Sequence, residues 1–139
     1  MIVKIVAKAL LINDKNEVLL LRRSANDERR PGEMDYPGGN IDATEDITAG
    51  VMREVIEETG IDIPLQKFHL LYAGTQIVGG DSVTRLLYWA RVSDPQVHVS
   101  FEHSEFLWVP IHEAIKLFPH PFYSVGLRYG LQNNIFNLS

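Results

Sequence analysis

The chain has 139 residues, 45% of them hydrophobic and 22% charged, a profile that fits one soluble globular domain spanning residues 1–139 and leaves no room for a second. It has no cysteine, which excludes disulfides, thiolate metal sites and a cysteine nucleophile. The net charge of −5 argues against a stable nucleic-acid complex but leaves a nucleotide enzyme open, because a metal ion can supply positive charge locally.

Ile2 to Ile12 is rich in β-branched and apolar residues and reads as a strand. Lys4 and Lys8 within it, and the polar turn after it, speak against a secretory signal. No apolar run is long enough to cross a membrane, so the expected setting is cytoplasmic. Asn13 to Asn16 is a turn by composition, and Glu17 to Leu21 is a second strand that should close a hairpin with the first. Arg22 to Tyr36 is polar and reads as a loop, and Pro37-Gly38-Gly39 is a tight punctuation point. From Thr44 to Thr59 the pattern turns helical: Ile47, Val51 and Val55 recur every four residues, with Thr44 as expected N-cap and Gly60 as left-handed stop. Phe68 to Val78 and Val83 to Val92 are strands joined through Gly79-Gly80, and Glu105 to Val109 is a shorter one. Pro110 opens a short helix through Leu117, and Phe122 to Phe136 reads as a final helix. The expected fold class is α/β in the broad α+β sense, a mixed sheet flanked by helices.

The chemistry sits between Gly39 and Ile61, which reads GNIDATEDITAGVMREVIEETGI. On a helix, Glu54, Glu57 and Glu58 fall at i, i+3 and i+4, so three carboxylates share one face. A Glu57-Glu58 pair alone would be a solvated surface, but three stacked carboxylates repel, and only Arg53 offsets them. Such a face suits a hard divalent cation with oxygen ligands, and Mg²⁺ in particular accepts one or two carboxylates together with substrate phosphates. Gly38 and Gly39 give a backbone that a ligand can approach closely, with a carbonyl to offer. No histidine lies in this stretch, which weighs against zinc.

Nine positions of the stretch, from Gly39 through Glu45, Arg53, Glu54, Val55, Glu57, Glu58 and Gly60 to Ile61, resemble the Nudix box GX₅EX₇REUXEEXGU, where U is a bulky aliphatic residue. At average usage of ~5–7% per residue type, a chance match is rarer than roughly one in 10⁷. The flanks extend the resemblance through Leu20-Leu21-Arg22-Arg23, Tyr36-Pro37-Gly38-Gly39 and Phe106-Leu107-Trp108-Val109-Pro110. Met34 stands where many relatives carry tryptophan.

What the resemblance implies is a Nudix α/β/α sandwich that hydrolyses a pyrophosphate bond in a nucleoside diphosphate derivative by attack of water on phosphorus, with Mg²⁺ as cofactor and Mn²⁺ as substitute. By the same resemblance Glu57 and Glu58 are the main metal ligands, with the Gly39 carbonyl beside them. Glu54 is a further ligand or the group that orients or deprotonates the water, and Glu45 and Arg53 tie the box loop to its helix. One more glutamate is expected from a loop near the last strand, Glu102 ahead of Glu105. From its place at a strand end, Arg23 is expected to meet a phosphate, with Gly38 and Gly39 at the substrate; His103 beside Glu102 could shuttle a proton but is expected to lie on the surface. Tyr36 and Trp108 read as core aromatics that could also stack a base. The small-molecule partner expected is a nucleoside triphosphate, oxidised ones included. ADP-ribose, nucleotide sugars, dinucleoside polyphosphates and a non-catalytic nucleotide sensor remain alternatives, and homodimerisation stays open.

Overall fold

Ile5 to Ile12 is apolar at every position except Lys8, and a strand accepts such a run only when both of its faces are covered. The computed structural model describes residues 1–93, 95–117 and 120–138; Ser139, the last residue of the expected domain, lies outside them. In chain order the elements are strands β1 (Val3–Ile12), β2 (Glu17–Arg23), β3 (Met34–Asp35) and β4 (Gly38–Asn40), helix α1 (Ile47–Thr59), strands β5 (His69–Val78), β6 (Asp81–Arg91) and β7 (His103–Pro110), and helices α2 (Ile111–Ala114) and α3 (Pro121–Gln132).

The strands form one sheet in the order β3-β2-β1-β6-β5, with β4 paired to β1 and β7 to β2. β1 and β6 run parallel from Val3 opposite Ser82 to Ile12 opposite Arg91, and the other pairings are antiparallel, so the sheet is mixed, as expected. Period-two alternation sorts the side chains into two layers. Ala7, Ala9, Leu11, Leu19 and Leu21 pack with Val51 and Val55 of α1. Leu10, Ile12, Val18 and Leu20 pack on the opposite face with Ile111, Tyr123 and Leu127. Helices therefore cover both faces of the sheet.

Four local expectations are corrected. The turn at Asn13 does reverse the chain, but β1 and β2 pair only at Ile12 and Val18; beyond that point they part, because β4 takes the edge of β1 and β7 the edge of β2. Pro37-Gly38-Gly39 is no mere break, since Gly38–Asn40 is strand β4. Gly38 has φ +135°, and a Cβ there would stand 2.2 Å from the Ala7 carbonyl oxygen, so only glycine allows this close pairing. Helix α1 starts at Ile47 with Asp46 as N-cap, its carboxylate accepting from the Ala49 amide at 3.1 Å. Thr44 falls outside the helix because the Glu45 amide bonds the Asp42 carbonyl at 3.1 Å, closing a turn that precedes it. The last helix ends at Gln132; the chain then turns at Asn134 (φ 51°) and returns Phe136 to the core, 1% exposed. The Gly60 stop is observed, with φ +75° and its amide bonded to the Ile56 carbonyl at 2.9 Å.

Candidate active site

Helix α1 presents Glu54, Glu57 and Glu58 at the spacing read from the sequence, and one arginine organises them. The Arg53 guanidinium grips Glu45 with two bonds, Nε to Oε2 at 2.7 Å and a terminal nitrogen to Oε1 at 3.0 Å. Its other terminal nitrogen donates to Glu54 at 3.1 Å and to both oxygens of Glu57 at 3.3 Å. A fork that meets a carboxylate with two parallel bonds fixes direction as well as distance. The Arg53 bonds, with the Asp42 amide, hold the Glu45 carboxyl below its ordinary range. Gly50 lets the loop close: a Cβ there would lie 2.8 Å from Glu45 Oε1 and 2.7 Å from the end of Ile41. Gly39 likewise leaves space for Glu54, whose carboxylate would lie 3.1 Å from a Cβ at that position.

Glu58 lies on the inner side of the cluster. The Gly38 amide donates to its Oε1 at 2.7 Å. Burial pushes its carboxyl up to about 7, against the pull of Lys8 and of that amide. Burial also raises the Glu54 carboxyl, which Arg53 partly opposes. Beneath them Lys8, 6% exposed, donates to Asp35 and to the Gly38 carbonyl, each at 3.0 Å. Arg23, expected to face a phosphate, directs its guanidinium to Asp35 at 2.9 Å and to Asp27 at 2.7 and 3.1 Å.

The opposite wall comes from the segment before β7. His98 donates its amide to the Thr59 carbonyl at 2.8 Å, and Ser100 donates to the Glu58 carbonyl at 3.2 Å. These bonds lay the segment along the end of α1. Glu54, Glu57, Glu58, Ser100, Phe101 and Glu102 then line one cleft of about 260 Å³. Of the two loop glutamates, Glu102 reaches this cleft, while Glu105 pairs with Arg22. A larger cleft of about 420 Å³ between Gly60 and Gln96 contains none of these residues. The carboxylate oxygens and the adjacent Gly39 backbone form an all-oxygen donor set that fits a hard divalent cation.

Histidine is absent from the helix, but the fold brings one in. His103 is 6% exposed and one of its ring nitrogens lies within 4.8 Å of ligand oxygens of Glu58 and Glu102. The expected surface position is thus corrected. β7 begins two residues earlier than the sequence pattern suggested, and this carries His103 inward. Burial lowers its imidazole pKa. Tyr36 is core, 1% exposed, its ring edge-on to Tyr123 at 5.7 Å, and Trp108 packs on the α1 side of the core. Sequence reasoning missed Lys8, Asp35 and Ser100 as parts of this region and favoured a surface position for His103 over a role beside Glu102. Lys8 carried a usable signal: a lone charge inside a two-faced apolar strand needs a buried partner.

The family model described as NUDIX domain matches residues 3–126. Nudix hydrolase 3 of Caenorhabditis elegans is 30% identical over 115 residues, 76% of this chain and 45% of its own length. The 8-oxo-dGTP diphosphatase of Escherichia coli (strain K12) is 36% identical over 56 residues, 40% of this chain and 43% of its own length. The matched part therefore spans less than half of either relative. The crystal structure of a MutT protein from Methanosarcina mazei Go1 has a TM-score of 0.79 at 30% identity, covering 95% of this chain and 96% of that one.

Proposed function

The chain belongs to the Nudix family, and on that premise we propose that it is a divalent-metal-dependent pyrophosphohydrolase. Its proposed substrate is a nucleoside triphosphate, oxidised ones included, cut to the monophosphate and pyrophosphate with Mg²⁺ or Mn²⁺. The carrying observation is the Arg53 guanidinium, which grips Glu45 and aligns Glu54 and Glu57 next to Glu58 in a cleft that Glu102 closes from the other side.

Glu57, Glu58, Glu102 and the Gly39 carbonyl are assigned to the metal. Bound there, the ion supplies positive charge to the phosphates and makes an attacking water more acidic. Glu54, partly desolvated and aligned by Arg53, takes the proton of that water as its oxygen bonds phosphorus and the bridging P–O bond breaks. Glu45 and Arg53 are positioning residues, and Arg23 braces Asp35 and Lys8 beneath the cleft. The 8-oxo-dGTP diphosphatase relative supports the triphosphate choice.

The test is a side-by-side kcat/KM panel of nucleoside triphosphates, 8-oxo-dGTP, ADP-ribose and diadenosine polyphosphates, with Mg²⁺ and after exhaustive EDTA treatment. Triphosphate turnover abolished by EDTA is expected. A tenfold advantage for ADP-ribose or a dinucleoside polyphosphate overturns the substrate, and tight binding of a nucleotide without turnover makes the chain a sensor instead.

A further inference from the structure

We propose that His103 is a nitrogen ligand which, with Glu58 and Glu102, completes a mixed imidazole–carboxylate metal site preferring a transition ion such as Mn²⁺ or Co²⁺ over Mg²⁺. This rests on the reading that the cleft's carboxylates hold a divalent ion, and it goes further in naming a ligand outside the box and the ion class that ligand selects.

Two buried atoms point to it. His103 Nδ1 has no hydrogen-bond partner among the described residues, and neither does the buried Ser100 Oγ. More than nine in ten buried polar groups have a partner, and both residues stand at Glu58: the Ser100 amide bonds the Glu58 carbonyl, and one ring nitrogen of His103 lies within 4.8 Å of a Glu58 carboxylate oxygen. Placement agrees. His103 sits opposite Arg23, where the pairing of β2 and β7 shifts register, and it is buried although Glu102 and Ser104 on either side are exposed. Donor atoms of Glu58, Glu102 and His103 all lie within 4.8 Å of one another. A six-coordinate ion with donors at ~2.1 Å spans roughly 3 Å between adjacent donors and roughly 4 Å between opposite ones, so the three close on an ion with small movements. Glu58 is preset, since the Gly38 amide fixes one of its oxygens. The Lys8 charge does not oppose a cation strongly, because Asp35 stands 3.0 Å from its ammonium. Replacing one oxygen donor by imidazole shifts preference from Mg²⁺ toward later divalent ions.

The test uses the whole protein and Mn²⁺ itself. Pulsed electron paramagnetic resonance of the Mn²⁺-loaded wild type should show ¹⁴N coupling from a directly bound imidazole, and His103→Gln should abolish it. Titration of the free Mn²⁺ signal should show about tenfold weaker Mn²⁺ binding in His103→Gln, with Mg²⁺ affinity, measured by competition, changed less than threefold. Wild-type Mn²⁺ without ¹⁴N coupling overturns the proposal, and this outcome stands even if the variant fails to fold. Coupling that persists in His103→Gln overturns it as well. These readouts are independent of turnover, so an inactive protein with ¹⁴N coupling would fail the proposed reaction and keep this site.

Discussion

Glu57 has 56% of its side chain exposed and is held in place by Arg53, so replacing it changes charge without disturbing packing. Glu57→Gln should lower kcat by about 10³-fold with a smaller change in KM, as expected for lost stabilisation of transition-state charge. Steady-state kinetics at saturating Mg²⁺ checks this, and a kcat near that of wild type would remove Glu57 from the metal set. Arg53 bonds three glutamates at once, yet 35% of its side chain is exposed, and exposed ion pairs each contribute only ~0–1 kcal/mol. Arg53→Ala should therefore lose roughly 10²-fold or more in kcat through misplaced carboxylates while its thermal melt stays close to wild type. Arg53→Lys should not rescue it, because an ammonium cannot form the two-bond fork. Global unfolding of Arg53→Ala would make the residue a fold residue first.

At the scale of elements, Gly38 just ahead of the box and Gly39 at its start separate fold from chemistry. A Cβ at Gly38 meets backbone, 2.2 Å from the Ala7 oxygen and 2.7 Å from the Lys8 Cα, in a conformation with φ +135°. Gly38→Ala should thus break the β1–β4 pairing and cost about 3 kcal/mol or more, taking activity with it. A Cβ at Gly39 first meets the end of the Glu54 side chain, at 3.1 Å. Gly39→Ala should keep a urea midpoint near wild type and lose kcat. Equal loss of stability in both variants would contradict this division. The element pattern itself was largely readable, since α1 and the long strands follow their periodicities. The short strands β3 and β4 were not, because residues this few carry no period; their pairing comes from Asp35 meeting Lys8 and from the bare edge of β1.

For the molecule as a whole, acid stability should hinge on buried Lys8 and Asp35 with half-buried Arg23 beside them. Burial alone would raise the Asp35 carboxyl, but Lys8 and Arg23 outweigh it and hold it below its ordinary 3.8. A carboxylate depressed on folding supplies stability that is present above its unfolded value and is lost as pH falls through the folded one. The urea midpoint should therefore drop as pH is lowered below about 4, and Asp35→Asn, already weaker at pH 7, should show a flatter acid limb. An unchanged acid limb in that variant would assign the dependence to other carboxylates.

Box spacing and helical period are properties of neighbouring residues, so the family, the mixed sheet between helices, and the helix that carries Arg53, Glu54, Glu57 and Glu58 were legible in the chain alone. The reach of Glu102 rather than Glu105 into the cleft, the bonding of Arg23 to Asp27 and Asp35, and the burial of His103 beside Glu58 arise from the packing of distant segments. Those outcomes depend on how the segment before β7 lies along the end of α1. That is fixed by backbone bonds from His98 to Thr59 and from Ser100 to Glu58, which join residues about forty positions apart and which any side chain at those positions could accompany.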